Sequence, residues 1–127
     1  MKLNPDCIRD ILITVESATD SEKSLYYSKD ELLFPMNKYE YNTVLYHIRQ
    51  CYKAGLIDGL KEFDGGEGGF IDDLSPDGHQ FLADIRSESV WNKVKEISKK
   101  VGSSSLSALT QIATGVISSL IQSQFLQ

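Results

Sequence analysis

The residues best suited to chemistry in this chain are Cys7, His47, Cys51 and His79 for a soft metal, and Asp72, Asp73 and Asp77 for a hydrolytic one. His47 and Cys51 stand one helical turn apart, so a helix would set them side by side. Nothing else has zinc-ligand spacing, and no CxxC occurs. On a strand the neighbours Asp72 and Asp73 point to opposite faces, and Asp77 is better used in the first turn of a helix. The run Asp64-Gly65-Gly66-Glu67-Gly68-Gly69 lacks the Lys-Ser/Thr of a phosphate-binding loop and closes a hairpin instead of opening a helix. No nucleophile is paired with a base. The expectation is a chain that is not an enzyme, with no metal and no cofactor.

Binding chemistry is better represented. Tyr41, Val44, Leu45, Ile48, Cys51 and Tyr52 fall on one stripe of a helix ended by Gly55. Opposite lie Tyr39, Asn42, Thr43, Tyr46, Gln50 and Lys53, with His47 and Arg49 on the flanks. Asn42, Thr43 and Gln50 are base-reading types, and Arg49 and Lys53 can hold phosphates. Tyr39 and Tyr46 equally suit a protein partner, since exposed tyrosines give large contact area at low entropy cost.

The elements that would carry this face are announced by two helix-start patterns. Ser28 with Glu31, clasped by Tyr27 and Leu32, is followed nine residues on by Asn37 with Glu40, clasped by Met36 and Tyr41. With Pro35 as a stop, the pair predicts a helix over about 29–34, a tight turn and a longer helix. Asn4-Pro5-Asp6 starts an earlier helix whose apolar face is Ile8, Ile11, Leu12 and Val15. Leu25-Tyr26-Tyr27 can form a short strand. Leu60–Phe63 and Phe70–Leu74 flank the glycine run as a hairpin with a mobile tip, and Ser75-Pro76-Asp77 starts another helix bearing Phe81, Leu82 and Ile85. The resulting fold class is mainly α (α+β), a winged helix-turn-helix with a small β-hairpin wing over residues 1–87.

Residues 88–127 read as a C-terminal two-helix arm. Val90, Val94, Ile97 and Val101 step at helical spacing, Gly102 ends that helix, and Ser103 or Ser104 can restart it. Leu106, Leu109, Ala113, Val116 and Leu120 continue the stripe, either as a homodimer seam or as a fold-back face.

At 127 residues the chain can bury roughly two thirds of its unfolded surface without a metal or a bridge, and a charged fraction of 24% does not suggest disorder. Cys7 and Cys51 read as small buried apolar residues in a reducing compartment. The N-terminus lacks the order of a signal peptide, so a cytoplasmic location is expected. No charged residue occurs after Lys100, yet repeated Ser, Thr and Gln argue against a membrane span there.

The opening Met1-Lys2-Leu3-Asn4-Pro5-Asp6-Cys7-Ile8-Arg9-Asp10-Ile11-Leu12 resembles an uncharacterised family of small bacterial and phage proteins, a domain of unknown function. Leu45-Tyr46-His47-Ile48-Arg49-Gln50-Cys51, the stretch from Leu74 to Leu82 and the uncharged tail after Trp91-Asn92-Lys93 resemble it too. The resemblance covers nearly the whole chain and implies a phage, prophage or other mobile-element origin and a winged-helix-like fold. It brings no catalytic residues. Leu74-Ser75-Pro76-Asp77-Gly78-His79 is also similar to the wing-to-helix junction of many winged-helix regulators.

Charge separates the two kinds of partner. Residues 37–55 carry +2, whereas residues 56–74 carry −5, with Asp58, Glu62, Asp64, Glu67, Asp72 and Asp73 against Lys61 alone. Each phosphate contact needs a cation to displace counterions, and such a wing would approach a polyanion. A protein partner is therefore favoured, in a phage-type chain a host or defence factor that it modulates or inhibits. A DNA-binding regulator using the third helix of the expected order is the alternative.

Overall fold

A computed structural model describes residues 1–126 of the chain. It is an α+β protein whose strands form small antiparallel sheets. Two compact units are formed, one of Lys2 and Asn4–His79, the other of Met1, Leu3 and the chain from Gln80 onward.

In the first unit, α1 (Pro5–Ala18) begins as the sequence predicts. Asn4 Oδ1 accepts from the amides of Asp6 and Cys7 at 3.0 and 3.3 Å, and Pro5 takes the first position, where a missing N–H costs nothing. Its stripe of Cys7, Ile8, Ile11, Leu12 and Val15 is fully buried. It packs against α2 (Tyr41–Lys53), the 3-10 turn Met36–Lys38 and the strand β5 (Asp73–Leu74). α2 buries Val44, Ile48 and Cys51 and ends on Gly55 at φ 75°, with Leu56 N–H donating to Cys51 O and Gly55 N–H to Tyr52 O. Two of the carbonyls left open by the last turn are thereby satisfied.

The helix expected over 29–34 is not formed, and the helix-turn-helix reading of that segment is corrected. β1 (Leu25–Ser28) runs into a tight turn in which Ser28 and Glu31 exchange backbone hydrogen bonds of 2.9 and 3.0 Å. The Ser-x-x-Glu spacing serves a two-residue turn as well as a capping box. Lys29 N–H is further taken by Glu67 O at 2.8 Å. Residues 29–34 give only six positions before Pro35, too few to offset helix nucleation, and Phe34 before proline disfavours helical angles. The second capping box fails as well. Asn37 N–H donates to Leu33 O, and α2 starts four residues later with Glu40 at its cap and no side-chain cap bond.

The hairpin is present and joins β1. In the three-stranded antiparallel sheet β1 pairs with β4 (Gly68–Ile71), which pairs with β3 (Lys61–Phe63). At the hairpin base β2 (Ile57–Asp58) pairs with β5. Direct partners are Leu25 with Ile71, Tyr26 with Phe70, Tyr27 with Gly69, and Lys61 with Phe70. One face therefore carries the buried Leu25, Tyr27 and Ile71, and the other carries Tyr26, Lys61, Phe63 and Phe70. Gly66 is buried at the tip, where Tyr41 Oη–H donates to its carbonyl at 2.6 Å, so the tip is held on α2.

α3 (Pro76–Ile85) opens with Ser75 Oγ accepting from Gly78 N–H at 3.0 Å and donating to Gly55 O. A Cβ on Gly78 would stand 1.9 Å from Leu56 O, so the first turn of α3 lies directly on that backbone. Only glycine fits.

The second unit comprises the rest of α3, α4 (Glu88–Val101) and α5 (Leu106–Phe125). The units part inside α3, whereas the sequence places the boundary after Ser87. Ser87 caps α4 through Val90 N–H at 3.2 Å, Gly102 ends it at φ 75°, and Ser105, not Ser103 or Ser104, caps α5 through Ala108 N–H at 3.1 Å. α4 and α5 pack on each other across the short Gly102–Ser105 link, which makes a helical hairpin. Among the described residues no helix is long and apolar enough to cross a membrane.

Candidate functional site

The outward side of α2 presents Asn42 and Lys53 exposed, with Thr43, Tyr46, Arg49 and Gln50 half-buried. Helical spacing alone brings these six together. Arg49 meets the hairpin. Its Nε and Nη2 donate to Glu62 Oε2 and Oε1 at 2.8 and 2.7 Å, a bidentate pair. That bond holds the Glu62 carboxyl below its ordinary range and raises the Arg49 guanidinium further. Asp58, Asp64 and Glu67 are exposed on the same hairpin. The acidic hairpin thus lies beside the α2 surface.

Tyr39 departs from that surface. It precedes α2, and its Oη–H donates to Asp10 Oδ2 at 2.6 Å, where Lys38 Nζ also pairs at 2.9 Å. Burial, then the bond to Asp10, raises its phenol above the ordinary range. Of the three cations around α2, Lys38 and Arg49 are spent on carboxylates. The third, Lys53, joins no ion pair among the described residues.

The candidate chemical residues have other occupations. His47 is fully buried, its Nε2 accepts from Asn4 N–H at 2.8 Å and its Nδ1–H donates to Thr43 O at 2.7 Å, so neither nitrogen faces a metal. Burial, helped by Asp10, pushes the Cys7 thiol up to about 12, and burial pushes Cys51 higher still. Asp72 accepts from Ser24 Oγ, and Asp73 from Thr19 Oγ1 and its neighbour's amide.

On α5 the stripe divides. Leu106, Leu109 and Ala113 are buried, Val116 is half-buried and Leu120 is 48% exposed. Val116 and Leu120, with Val90, Ile97 and Ile112, line an open apolar groove of about 600 Å³ between α4 and α5, with Lys93 at its wall.

Sequence reasoning passed over a cluster of three rings, Tyr26, Phe63 and Phe70, on the outer face of the sheet. Alternation within each strand hinted at it, but only the register places them together.

With this geometry in view, comparison places the chain in a family. A family model described as "Hypothetical protein (DUF2513)" matches residues 2–105. The chain belongs to the DUF2513 family. An "Uncharacterized protein" of Haemophilus influenzae is 34% identical over 123 residues, which cover 95% of this chain and 99% of that one. No solved structure matches. The family resemblance carried by the opening residues, by Leu45–Cys51 and by Leu74–Leu82 is thereby borne out. The DUF2513 match takes in α2, the hairpin and α4 and stops at the cap of α5.

Proposed function

We propose that this DUF2513 protein is a non-catalytic binding protein of winged-helix type whose partner is another polypeptide. The second helix of the motif is reduced to the β1 turn and the 3-10 turn before α2. What supports the fold assignment is the order α1, β1, α2, hairpin, α3, with β1 docked on the second hairpin strand in the sheet order β1-β4-β3. In keeping with the phage or mobile-element character implied by the resemblance, the partner is a host or defence factor met in the cytoplasm. The chain works as a homodimer through the less covered half of the α5 stripe, the half-buried Val116 and the exposed Leu120.

The observation that carries the protein reading is the Arg49–Glu62 pair. A recognition helix on DNA needs free cations beside it, and here the central one is chelated by the wing, whose residues 56–74 carry −5. Asn42, Tyr46 and Gln50 remain as a polar-aromatic surface next to carboxylates, suited to a basic polypeptide. The test is a pair of titrations. Tyr46→Ala should weaken capture of the partner by roughly 1–2 kcal/mol or more. A duplex-DNA gel shift that is absent at micromolar protein and low salt removes the nucleic-acid reading.

That second reading, a DNA-binding regulator with α2 as recognition helix, is favoured by the element order alone. It requires a shift that weakens steeply with salt and that is lost when Lys53 is neutralised.

A further inference from the structure

The outer face of the sheet carries three aromatic side chains that the protein covers only in part. Tyr26, Phe70 and Phe63 are 40%, 40% and 37% exposed, one on each strand. Ring centroids lie 5.3 Å apart for Tyr26 and Phe70, 5.9 Å for Phe63 and Phe70, and 6.1 Å for Tyr26 and Phe63, whose planes alone are near-parallel, at 14°. The register accounts for the cluster. Tyr26 stands directly opposite Phe70, and Phe70 opposite Lys61, two residues from Phe63. Gly68 is opposite Phe63, and a Cβ there would come within 2.6 Å of the Phe63 ring. The glycine lets that ring lie down across the sheet toward Tyr26. The result is a contiguous, partly exposed aromatic surface, and aromatic ring faces attract cations.

The surrounding charge says which cation. Asp64 follows Phe63 and Glu67 precedes Gly68; both are exposed, and neither joins an ion pair among the described residues. Lys61 is the one cation of the −5 segment. Single-stranded nucleic acid also stacks on such rings, but its phosphates would meet this negative field. A guanidinium is planar, weakly hydrated and able to stack while its edge pairs with a carboxylate, which an ammonium does less well.

We propose that this face is a docking platform for an arginine-bearing segment of the partner polypeptide, with a guanidinium stacked on Tyr26, Phe63 and Phe70 and paired to Asp64 or Glu67. The inference rests on the protein-partner reading and names the chemistry of the partner at a surface separate from α2.

The test uses the full chain and a fluorescein-labelled peptide alternating Arg and Gly, with Lys-Gly, Gln-Gly and oligothymidylate probes beside it. Fluorescence anisotropy should report binding of the Arg-Gly peptide, weaker binding of Lys-Gly, and none of the other two. Tyr26→Leu, Phe63→Leu and Phe70→Leu keep the apolar bulk and remove the π face, and each should weaken the Arg-Gly peptide by about fivefold or more. Thermal melts of the variants establish that they fold, and two of the three suffice if one does not. Equal binding of Arg-Gly and Lys-Gly that ignores the Leu variants overturns the proposal in favour of charge alone. So does preference for oligothymidylate, or binding of no probe. If Tyr46→Ala abolishes partner capture while the three Leu variants leave it intact, the platform fails and the protein-partner reading stands.

Discussion

Arg49 and Glu62 set the character of the α2 surface, because their pairing converts the most central cation of the face into part of a neutral clamp. Both side chains are partly exposed, so the pair is worth about 0.5–1 kcal/mol and no more. Its pH dependence follows from the lowered Glu62 carboxyl: the contribution is whole above the ordinary carboxylate range and is lost as pH falls through it. Glu62→Gln should therefore lower stability by about that amount at neutral pH, and urea unfolding should find no difference from wild type in strong acid. A second residue-scale prediction concerns the thiols. With Cys7 pushed up to about 12 and Cys51 beyond, both should ignore a thiol reagent at mildly alkaline pH and react only on unfolding. Labelling of the native protein at either cysteine would contradict that burial. At this scale the sequence was readable where helical spacing decides, as for Asn42, Tyr46 and Gln50. It was not readable for Tyr39, because its partner Asp10 lies on α1 and no local pattern announces a pairing so distant in the chain.

Elements were legible where two independent local signals agreed. α1 has a cap, a first-position proline and an apolar stripe. α2 has a stripe and a terminal glycine, and the start of α3 has Ser75 and Pro76. The segment 29–34 offered one signal, Ser28-x-x-Glu31, that a turn and a helix share, and tertiary pairing of β1 with β4 decided it. The wing glycines were legible as a turn but not in their division of labour. Gly65 and Gly66 take positive φ at the tip, while Gly68 sits in β4 and makes room for a ring. The junction between wing and α3 supplies the element-scale prediction. Gly78→Ala must push the first turn of α3 off the Leu56 carbonyl, so it should cost about 1–3 kcal/mol, read as a lowered Tm. An unchanged Tm would mean that the close approach is not held in solution.

For the whole molecule, the consequences run through its two units taken one at a time. In the second, α5 buries Leu106, Leu109 and Ala113 and leaves Val116 half-buried and Leu120 exposed, so its packing on α4 leaves part of the stripe open to the self-association proposed above. Leu120→Lys should leave the fold intact and convert a dimer into a monomer in light scattering; a wild-type protein already monomeric ends the dimer proposal. Leu109→Ala, in the covered half, should instead cost about 2–4 kcal/mol of stability. In the first unit the central claim is that α2 and the acidic wing together receive a polypeptide. The most direct measurement is a photo-crosslinking amino acid placed at the exposed Asn42, activated in bacterial cells, with the adduct then digested. The account predicts an adduct destroyed by protease on the partner side and untouched by nuclease. A nuclease-sensitive adduct would contradict it.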